Sequence, residues 1–300
     1  MTTESSLLAG FSNQLADAVE KVGTALVQVN GRQRQSASGV VFAPNMVLTA
    51  DHVLERDTEL TIETHDGRSL PAQLVGRDPA TDLAVLRVND LNATPATVVK
   101  DPARVGQMML LVGRPSPGGA QASLGIVSAV GGPVRSRRGA MLERYIQTDA
   151  TPYPGFSGGA MIDATGAVVG ITTTGLANGV ALGIPADLAW RVAETIGSHG
   201  QIKRGFLGVS SQPVPIPVAQ RAGRTQERGL LVVQVEDNSP AAQAGMLVGD
   251  IMVAFDGQTV TDTDELQALL SGDRVGRAVP VEVIRGGVLA TAHVAVGARA

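Results

Sequence analysis

The chain is predicted to be mostly β: a barrel or sandwich over its first two thirds, then a smaller α+β unit. Three observations predict this. Short runs of β-branched and apolar residues alternate with turn signals, at the rhythm of strands rather than helices. Glycine is abundant, at 36 of 300 residues, as closely spaced turns require. A short polar stretch, Ser198 to Arg204, then interrupts the pattern. Beyond Arg204 the pattern restarts on the scale of a separate domain, of about a hundred residues.

Apolar residues at helical spacing (Leu15, Val19, Val22) predict a short helix from Leu15 to Val27. Strands are then expected at Ala25 to Val29, Ser38 to Phe42, Met46 to Thr49, Glu59 to Glu63 and Asp82 to Val88. Further strands are expected at Met108 to Val112, Gly125 to Val130, Ala167 to Thr173 and Val180 to Ile184. Pro185 opens a helix that runs to Ile196, with Gly197 and Gly200 as stops. The smaller unit offers strands at Phe206 to Ser210, Leu230 to Val235 and Ile251 to Phe255, and closing strands at Val279 to Ile284 and Leu289 to Val296. Its helices are expected at Pro240 to Ala244 and Asp262 to Leu270.

Composition removes several function classes. A formal charge of −4 is small and evenly spread, which argues against nucleic acid as a partner. The one tight basic cluster, Arg135, Arg137 and Arg138, reads as a solvated loop. With no cysteine there is no disulfide framework, thiolate metal site or cysteine nucleophile. The four histidines, at 52, 65, 199 and 293, lie too far apart for zinc-ligand spacing, so neither metal nor cofactor is expected. The first residues carry Glu4, Asp17 and Glu20 and show neither a signal peptide nor a membrane span. A cytoplasmic protein is expected from the sequence as written, or one of the cell envelope if an anchor has been trimmed away.

Chemistry concentrates at Gly155-Phe156-Ser157-Gly158-Gly159. A serine hydroxyl attacks only when a base takes its proton and donors receive the oxyanion. Glycines beside it let backbone amides converge on one point. His52, in Thr49-Ala50-Asp51-His52-Val53, stands at the end of an apolar strand. Asp82 precedes the run Leu83-Ala84-Val85-Leu86, whose burial would draw the carboxylate inward, where it needs a partner. A histidine before an apolar pair is more often structural, and an aspartate at a strand start is usually a cap. Their coincidence in the order His, Asp, Ser on strand edges of a β-rich domain changes that balance. His52 would be the base, Asp82 its orienting acid and Ser157 the nucleophile. The Gly155 and Ser157 amides, flanking Phe156, would form the oxyanion hole. Asp78 reads as a turn residue before Pro79, and Asp51 is expected to point to solvent.

Gly155-x-Ser157-x-Gly159 also fits the nucleophile elbow of an α/β-hydrolase, with Asp163 or Asp187 and His199 as nominal partners. An elbow must feed a helix. Ala160 to Thr173 reads instead as two strands joined at Asp163-Ala164-Thr165-Gly166, so that plan is set aside.

With these residues in place the chain resembles the HtrA or Deg-type serine proteases, which join a trypsin-like domain to a C-terminal PDZ domain. Thr49 to Val53 resembles the histidine motif, Asp78 to Leu86 the D-P-x-T-D-L-A-V-L motif, and Ile146 to Ala150 with Gly155 to Gly159 the serine motif. Gly125-Ile126-Val127-Ser128 is similar to the strand entering the family's regulatory loop. Arg204-Gly205-Phe206-Leu207-Gly208-Val209 resembles the carboxylate-binding loop and first strand of a PDZ domain, and Ser239 to Gly245 with Gly249-Asp250-Ile251 is similar to another PDZ segment. The resemblance implies a chymotrypsin-like double β-barrel. Its domains would be an N-terminal helical segment at 1–22, a protease domain at 23–198 and a PDZ domain at 199–300.

The implied activity is ATP-independent endoproteolysis of unfolded or damaged proteins. The PDZ domain would bind peptide C-termini or exposed segments, and the implied assembly is a homotrimer, with Phe11 in the N-terminal contact. Thr151, six positions before the nucleophile, argues against a basic P1 residue. Pocket walls are expected from Ile171, Thr172, Thr173, Thr174, Ala181, Leu182 and Gly183, which predicts a small apolar P1. Phe156 departs from the small polar residue usual in the family. Beside the nucleophile it would shape the S1′ side or favour a flipped loop. The alternative function is a proteolytically inactive peptide-binding or chaperone protein on the same scaffold.

Overall fold

The computed structural model describes residues 3–116, 118–132, 134–135, 141–176, 181–200, 204–270 and 274–299. It separates into two compact units, Met1–Ile202 and Lys203–Ala300. Arg137, Arg138, Val180 and residues 201–203 of the expected linker lie outside the described residues.

The first unit opens with helix α1, Thr3–Gly23. The helix starts well before the expected Leu15: Leu7, Leu8 and Phe11 carry the same apolar spacing toward the N-terminus, which the expected helix left out. Ala18 and Val22 are buried against the core, while Leu7 and Leu8 stay 71% and 73% exposed.

The first barrel contains β1 (Leu26–Asn30), β2 (Ala37–Ala43), β3 (Met46–Ala50), β4 (Leu60–Glu63), β5 (Ser69–Asp78) and β6 (Leu83–Arg87). They close in the order β1-β2-β3-β6-β5-β4. The ten-residue β5 was absent from the expected strands, since Pro71 and Gly76 interrupt its reading as a strand. Closure pairs both of its sides, with β4 and β6, so the ladder overrides local propensity.

The second barrel follows with β7 (Met108–Gly113) and β8 (Gln121–Gly131), then the small pair β9 (Val134–Arg135) and β10 (Met141–Leu142). It continues with β11 (Tyr145–Thr148), β12 (Ala160–Ile162), β13 (Val168–Thr173) and β14 (Leu182–Pro185). Its closed order is β11-β14-β13-β12-β7-β8. Helix α2, Ala186–His199, ends on Gly200, which adopts φ 75° and donates its N–H to Ile196 O. Leu188, Ala189, Val192, Ala193 and Ile196 of α2 pack with Leu83, Val85 and Ile171. That packing ties strand β6, just after Asp82, to strand β13.

The second unit is α+β. It contains β15 (Arg204–Phe206), β16 (Val209–Pro215), β17 (Arg228–Val235), α3 (Pro240–Gln243), β18 (Ile251–Phe255), β19 (Gln258–Thr259) and α4 (Thr263–Leu269). Strands β20 (Ala278–Arg285), β21 (Val288–Ala295) and β22 (Gly297–Arg299) complete it. The main sheet runs β16-β17-β18-β20-β21, with β16 on the outside, and β15 pairs separately with β22. Phe255, Leu230, Val232, Met252 and Val281 fill its core.

Candidate functional site

His52 lies on a 3-10 turn, Asp51–Val53, directly after β3. Asp82 sits in the turn before β6 at φ 55°, a left-handed conformation that aspartate tolerates better than most residues. Because β3 pairs β6 with Ala50 opposite Leu83, strand register alone sets the two side by side. His52 Nδ1 lies 2.7 Å from Asp82 Oδ2, and the His52 backbone N–H donates to Asp82 Oδ1 at 2.9 Å. The carboxylate is 1% exposed and the imidazole 19%. Thr173 Oγ1 also donates to Asp82 Oδ2 and accepts in turn from the Gly175 N–H. This buried carboxylate is therefore satisfied on both oxygens, and the ring has one orientation to adopt.

The space around the pair is fully used. A Cβ on Gly175 would fall 2.5 Å from His52 Nδ1 and 2.7 Å from Asp82 Oδ2, so only glycine fits there.

Ser157 is carried on the loop entering β12. Gly155, at φ 87°, makes the turn. Its carbonyl accepts from Ser38 Oγ at 2.7 Å, while the Ser38 N–H donates to Ser157 O at 3.1 Å. The Phe156 N–H donates to Tyr153 O, and the Gly159 N–H to Phe156 O. The amides of Gly155 and Ser157 donate to no acceptor among the described residues. Ser157 Oγ lies 3.1 Å from Thr174 Oγ1, and no hydrogen bond joins it to His52. In resting enzymes of this chemistry the nucleophile–base bond is often loose and tightens on substrate.

Family models match the chain twice: as a trypsin-like peptidase domain over residues 37–171 and as a PDZ domain over 205–296. Among solved structures, an HtrA-type protease AlgW with a decapeptide superposes with a TM-score of 0.80 at 30% identity, covering 95% of this chain and 99% of that one. The chain belongs to the HtrA-type serine proteases. A serine endoprotease from Yersinia pestis gives a TM-score of 0.80 at 29% identity, over 96% and 98% of the two chains. A probable periplasmic DegP-like serine endoprotease of Halomonas elongata is 34% identical over 272 residues, 88% of this chain and 57% of the relative. A Pseudomonas putida relative of the same description is also 34% identical, over 278 residues. The chain thus spans a little over half the length of these curated relatives.

The HtrA assignment makes the fold a chymotrypsin-like double barrel followed by a PDZ domain. It also corrects the cytoplasmic expectation. The curated relatives are described as periplasmic, which points to the periplasm or cell envelope. That expectation rested on what the first residues lack, and such a lack carries no information on compartment.

Four further expectations change. Phe156 is 1% exposed and packs in the second barrel with Met109, Leu111, Met161 and Val169. Its ring meets Tyr153 edge-on at 5.4 Å between centroids. It faces the core, not the S1′ side. Asp51 is buried rather than solvent-facing, and its Oδ1 accepts from Arg77 at 2.9 Å. Arg77 also donates to Leu54 O and pairs with Asp57, so it clamps the turn that carries His52.

The expected pocket residues do not form one wall. Ile171 and Leu182 belong to the core beside α2, Thr173 serves Asp82, and Thr174 serves Ser157. Ala181 packs with Phe156 inside the barrel, and a Cβ on Gly183, opposite Thr172, would strike Met161 Sδ at 2.2 Å. Met161, which fills that space, was missed because methionine beside a Gly-Gly pair carries no sequence signal. Ser38 and Arg77 were missed for the same reason: only tertiary contact reveals them.

In the PDZ domain, Arg204, Gly205 and Phe206 lie in the ladder with β22, and the Gly205 N–H donates to Leu270 O at 2.8 Å. Leu207 is buried in the core, and its carbonyl accepts from Ala241, while the Gly208 carbonyl accepts from Glu236. The amides of Leu207 and Gly208 donate to no described residue. The stretch of amides without a partner is thus narrower than the expected Phe206-to-Gly208 run. Val209 begins the outer strand β16, alongside which α4 packs.

Proposed function

We propose that this protein is an ATP-independent serine endopeptidase acting on unfolded or damaged polypeptides, with a protease domain at 23–198 and a PDZ domain at 199–300 that binds peptide. The carrying observation is the buried, doubly satisfied Asp82 fixing His52 at the mouth of the Ser157 loop. His52 Nε2 takes the Ser157 hydroxyl proton as Oγ bonds the scissile carbonyl carbon. The oxyanion forms between the Gly155 and Ser157 amides. His52 then gives the proton to the leaving nitrogen as the C–N bond breaks, and water repeats the sequence on the acyl-enzyme. Thr151, in place of an acid six positions before Ser157, argues against a basic P1 residue, and the small and aliphatic composition of 171–174 and 181–183 supports a small apolar one.

The inactive alternative depended on Phe156 disturbing the loop. A ring seated in the core removes that motive. Structures of an HtrA-type relative with a decapeptide and a tripeptide support peptide binding here. Leu7, Leu8 and Phe11, exposed along α1, support self-association through the N-terminal helices, the homotrimer itself resting on the family resemblance, and the relatives' descriptions support a periplasmic setting. Degradation of unfolded casein by the purified protein, abolished in Ser157→Ala, tests the activity. Undiminished cleavage by Ser157→Ala would refute it.

A further inference from the structure

Ser38 is the second residue of β2 and lies wholly inside the protein, at 0% exposure. Its hydroxyl donates to Gly155 O at 2.7 Å, and its backbone N–H donates to Ser157 O at 3.1 Å. A serine hydroxyl has one proton to give. The Arg114 N–H already donates to this oxygen at 2.8 Å, so that proton is left for Gly155 O. One residue of the first barrel thus holds the carbonyls of both residues whose amides face no acceptor. The loop is also seated on the chain entering β2, since a Cβ on Gly155 would fall 2.8 Å from Ser36 O.

A peptide is planar, so fixing its carbonyl fixes the N–H that points the opposite way across the bond. The Gly155–Phe156 peptide is held at both ends, by Ser38 at its carbonyl and by Tyr153 O at its N–H. In the Phe156–Ser157 peptide the carbonyl accepts from the Gly159 N–H, which turns the Ser157 N–H away from it. The Ser157–Gly158 peptide is held by the Ser38 N–H at its carbonyl and by Thr172 O at its N–H. Three consecutive peptides are therefore clamped, and Ser38 holds the first and the third. The Gly155 N–H belongs to the peptide just before them and is joined to them through Gly155 alone, at φ 87°.

We propose that Ser38 is a positioning residue for the reaction: its hydroxyl and N–H hold the arc from Gly155 to Ser157 in the shape that leaves both amides free for the oxyanion. The proposal rests on the serine endopeptidase reading and names the group that prepares its oxyanion site. Donors accelerate a reaction most when they are aimed before the charge develops. Without the Ser38 hydroxyl, the buried Gly155 carbonyl loses its partner and the first of the three peptides is released. A buried acceptor left unpaired is costly, so that peptide turns toward another donor. The effect is confined to the oxyanion side. None of the bonds of Ser38 to Gly155, Ser157, Arg114 or Thr49 reaches His52 or Asp82.

Ser38→Ala in the full chain removes the hydroxyl and keeps the backbone N–H. On a peptide anilide with valine at P1, kcat is expected to fall about 10- to 100-fold, less than the roughly 10²- to 10³-fold cost of deleting a donor outright. KM should stay within about twofold and the pH profile of kcat/KM should not move, as expected when only the transition state loses stabilisation. A peptide aldehyde gives the second readout. Ser157 Oγ bonds the aldehyde carbon, the hydroxyl proton passes to His52, and the former carbonyl oxygen rests between the two amides. Affinity for the aldehyde should fall by the same factor as kcat/KM. Ser38→Cys keeps the volume with a weaker donor and should fall between the parent and Ser38→Ala. It carries the test if circular dichroism shows Ser38→Ala unfolded, and a parental kcat in it would then overturn the proposal. So would a near-parental kcat in folded Ser38→Ala, or an unchanged aldehyde affinity beside a lowered kcat. A displaced pH profile would also overturn it, by placing the effect on His52. A parent chain that turns over no anilide would overturn the endopeptidase reading, and the proposal with it.

Discussion

Ser157 Oγ is hydrogen-bonded to Thr174 Oγ1 at 3.1 Å, and not to the imidazole of His52. Thr174 is exposed and follows directly on Thr173, the residue that holds Asp82. The last residue of β13 and the one after it therefore touch Asp82 and Ser157 respectively.

Removing the Thr174 hydroxyl should release Ser157. A neutral hydrogen bond is worth about 0.5–1.5 kcal/mol net, so Thr174→Val should raise the acylation rate by about two- to tenfold. Thr174→Ser should behave as the parent. Pre-steady-state acylation with an activated ester measures this, and a fall in rate for Thr174→Val would assign Thr174 a supporting role in place of a restraining one.

Gly175 tests the acid–base pair without touching either member. An added methyl would collide with His52 Nδ1 and Asp82 Oδ2. Gly175→Ala should lower kcat by about 10³- to 10⁴-fold, comparable to losing the orienting acid, with the circular dichroism spectrum unchanged. Near-parental kcat would mean the pair tolerates displacement.

The Phe156 ring belongs to the barrel core, so its truncation should act on stability. Phe156→Ala should cost about 3–5 kcal/mol in unfolding free energy, measured by urea titration followed through Trp190 of the same unit. Phe156→Leu should cost far less and retain primed-side selectivity. A changed S1′ preference in a stable Phe156→Leu would return the side chain to the substrate cleft.

Asp250 gives the PDZ domain an acid limit. Burial pushes this carboxyl up, but hydrogen bonds from Arg285 and the Leu247 amide, with the Arg285 charge, outweigh it and hold it below its ordinary value. A depressed folded value means the stabilisation is complete above the unfolded pKa of about 3.9. It is lost as pH falls through the folded value. Protection of β18 amides, measured as exchange relative to the intrinsic rate at each pH, should therefore fall below about pH 4. Asp250→Asn should lose about 1–3 kcal/mol at pH 7 and show a smaller acid step. An unchanged step in that variant would place the acid sensitivity elsewhere.

Legibility in the sequence followed how local each cause was. Strands β2, β3 and β18 were readable from continuous apolar runs that the cores bury. Strand β5 was not, because its pairing on both sides compensates for Pro71, and no local window contains that information. The strand expected at Phe206 to Ser210 instead joins the end of β15 to the first residues of β16, and the rest of β16 was missed because Pro213 and Pro215 look like breakers until the edge position is known. At the site, His52, Asp82 and Ser157 announced themselves because glycines, strand ends and buried runs surround them. Ser38, Arg77 and Thr174 act through contacts spanning 117, 26 and 17 residues, which no motif encodes. Asp51 and Phe156 were misplaced because a charge and a ring can each turn inward once a partner or a cavity awaits them.

Every step of the proposed mechanism depends on Ser157 being activated by His52 and Asp82. Labelling the protein with a fluorophosphonate and mapping the adduct by peptide mass spectrometry tests this most directly. One adduct is predicted, on Ser157, absent in Ser157→Ala and formed far more slowly in His52→Ala. An adduct on another residue, or none in any oligomeric state of the folded protein, would contradict it.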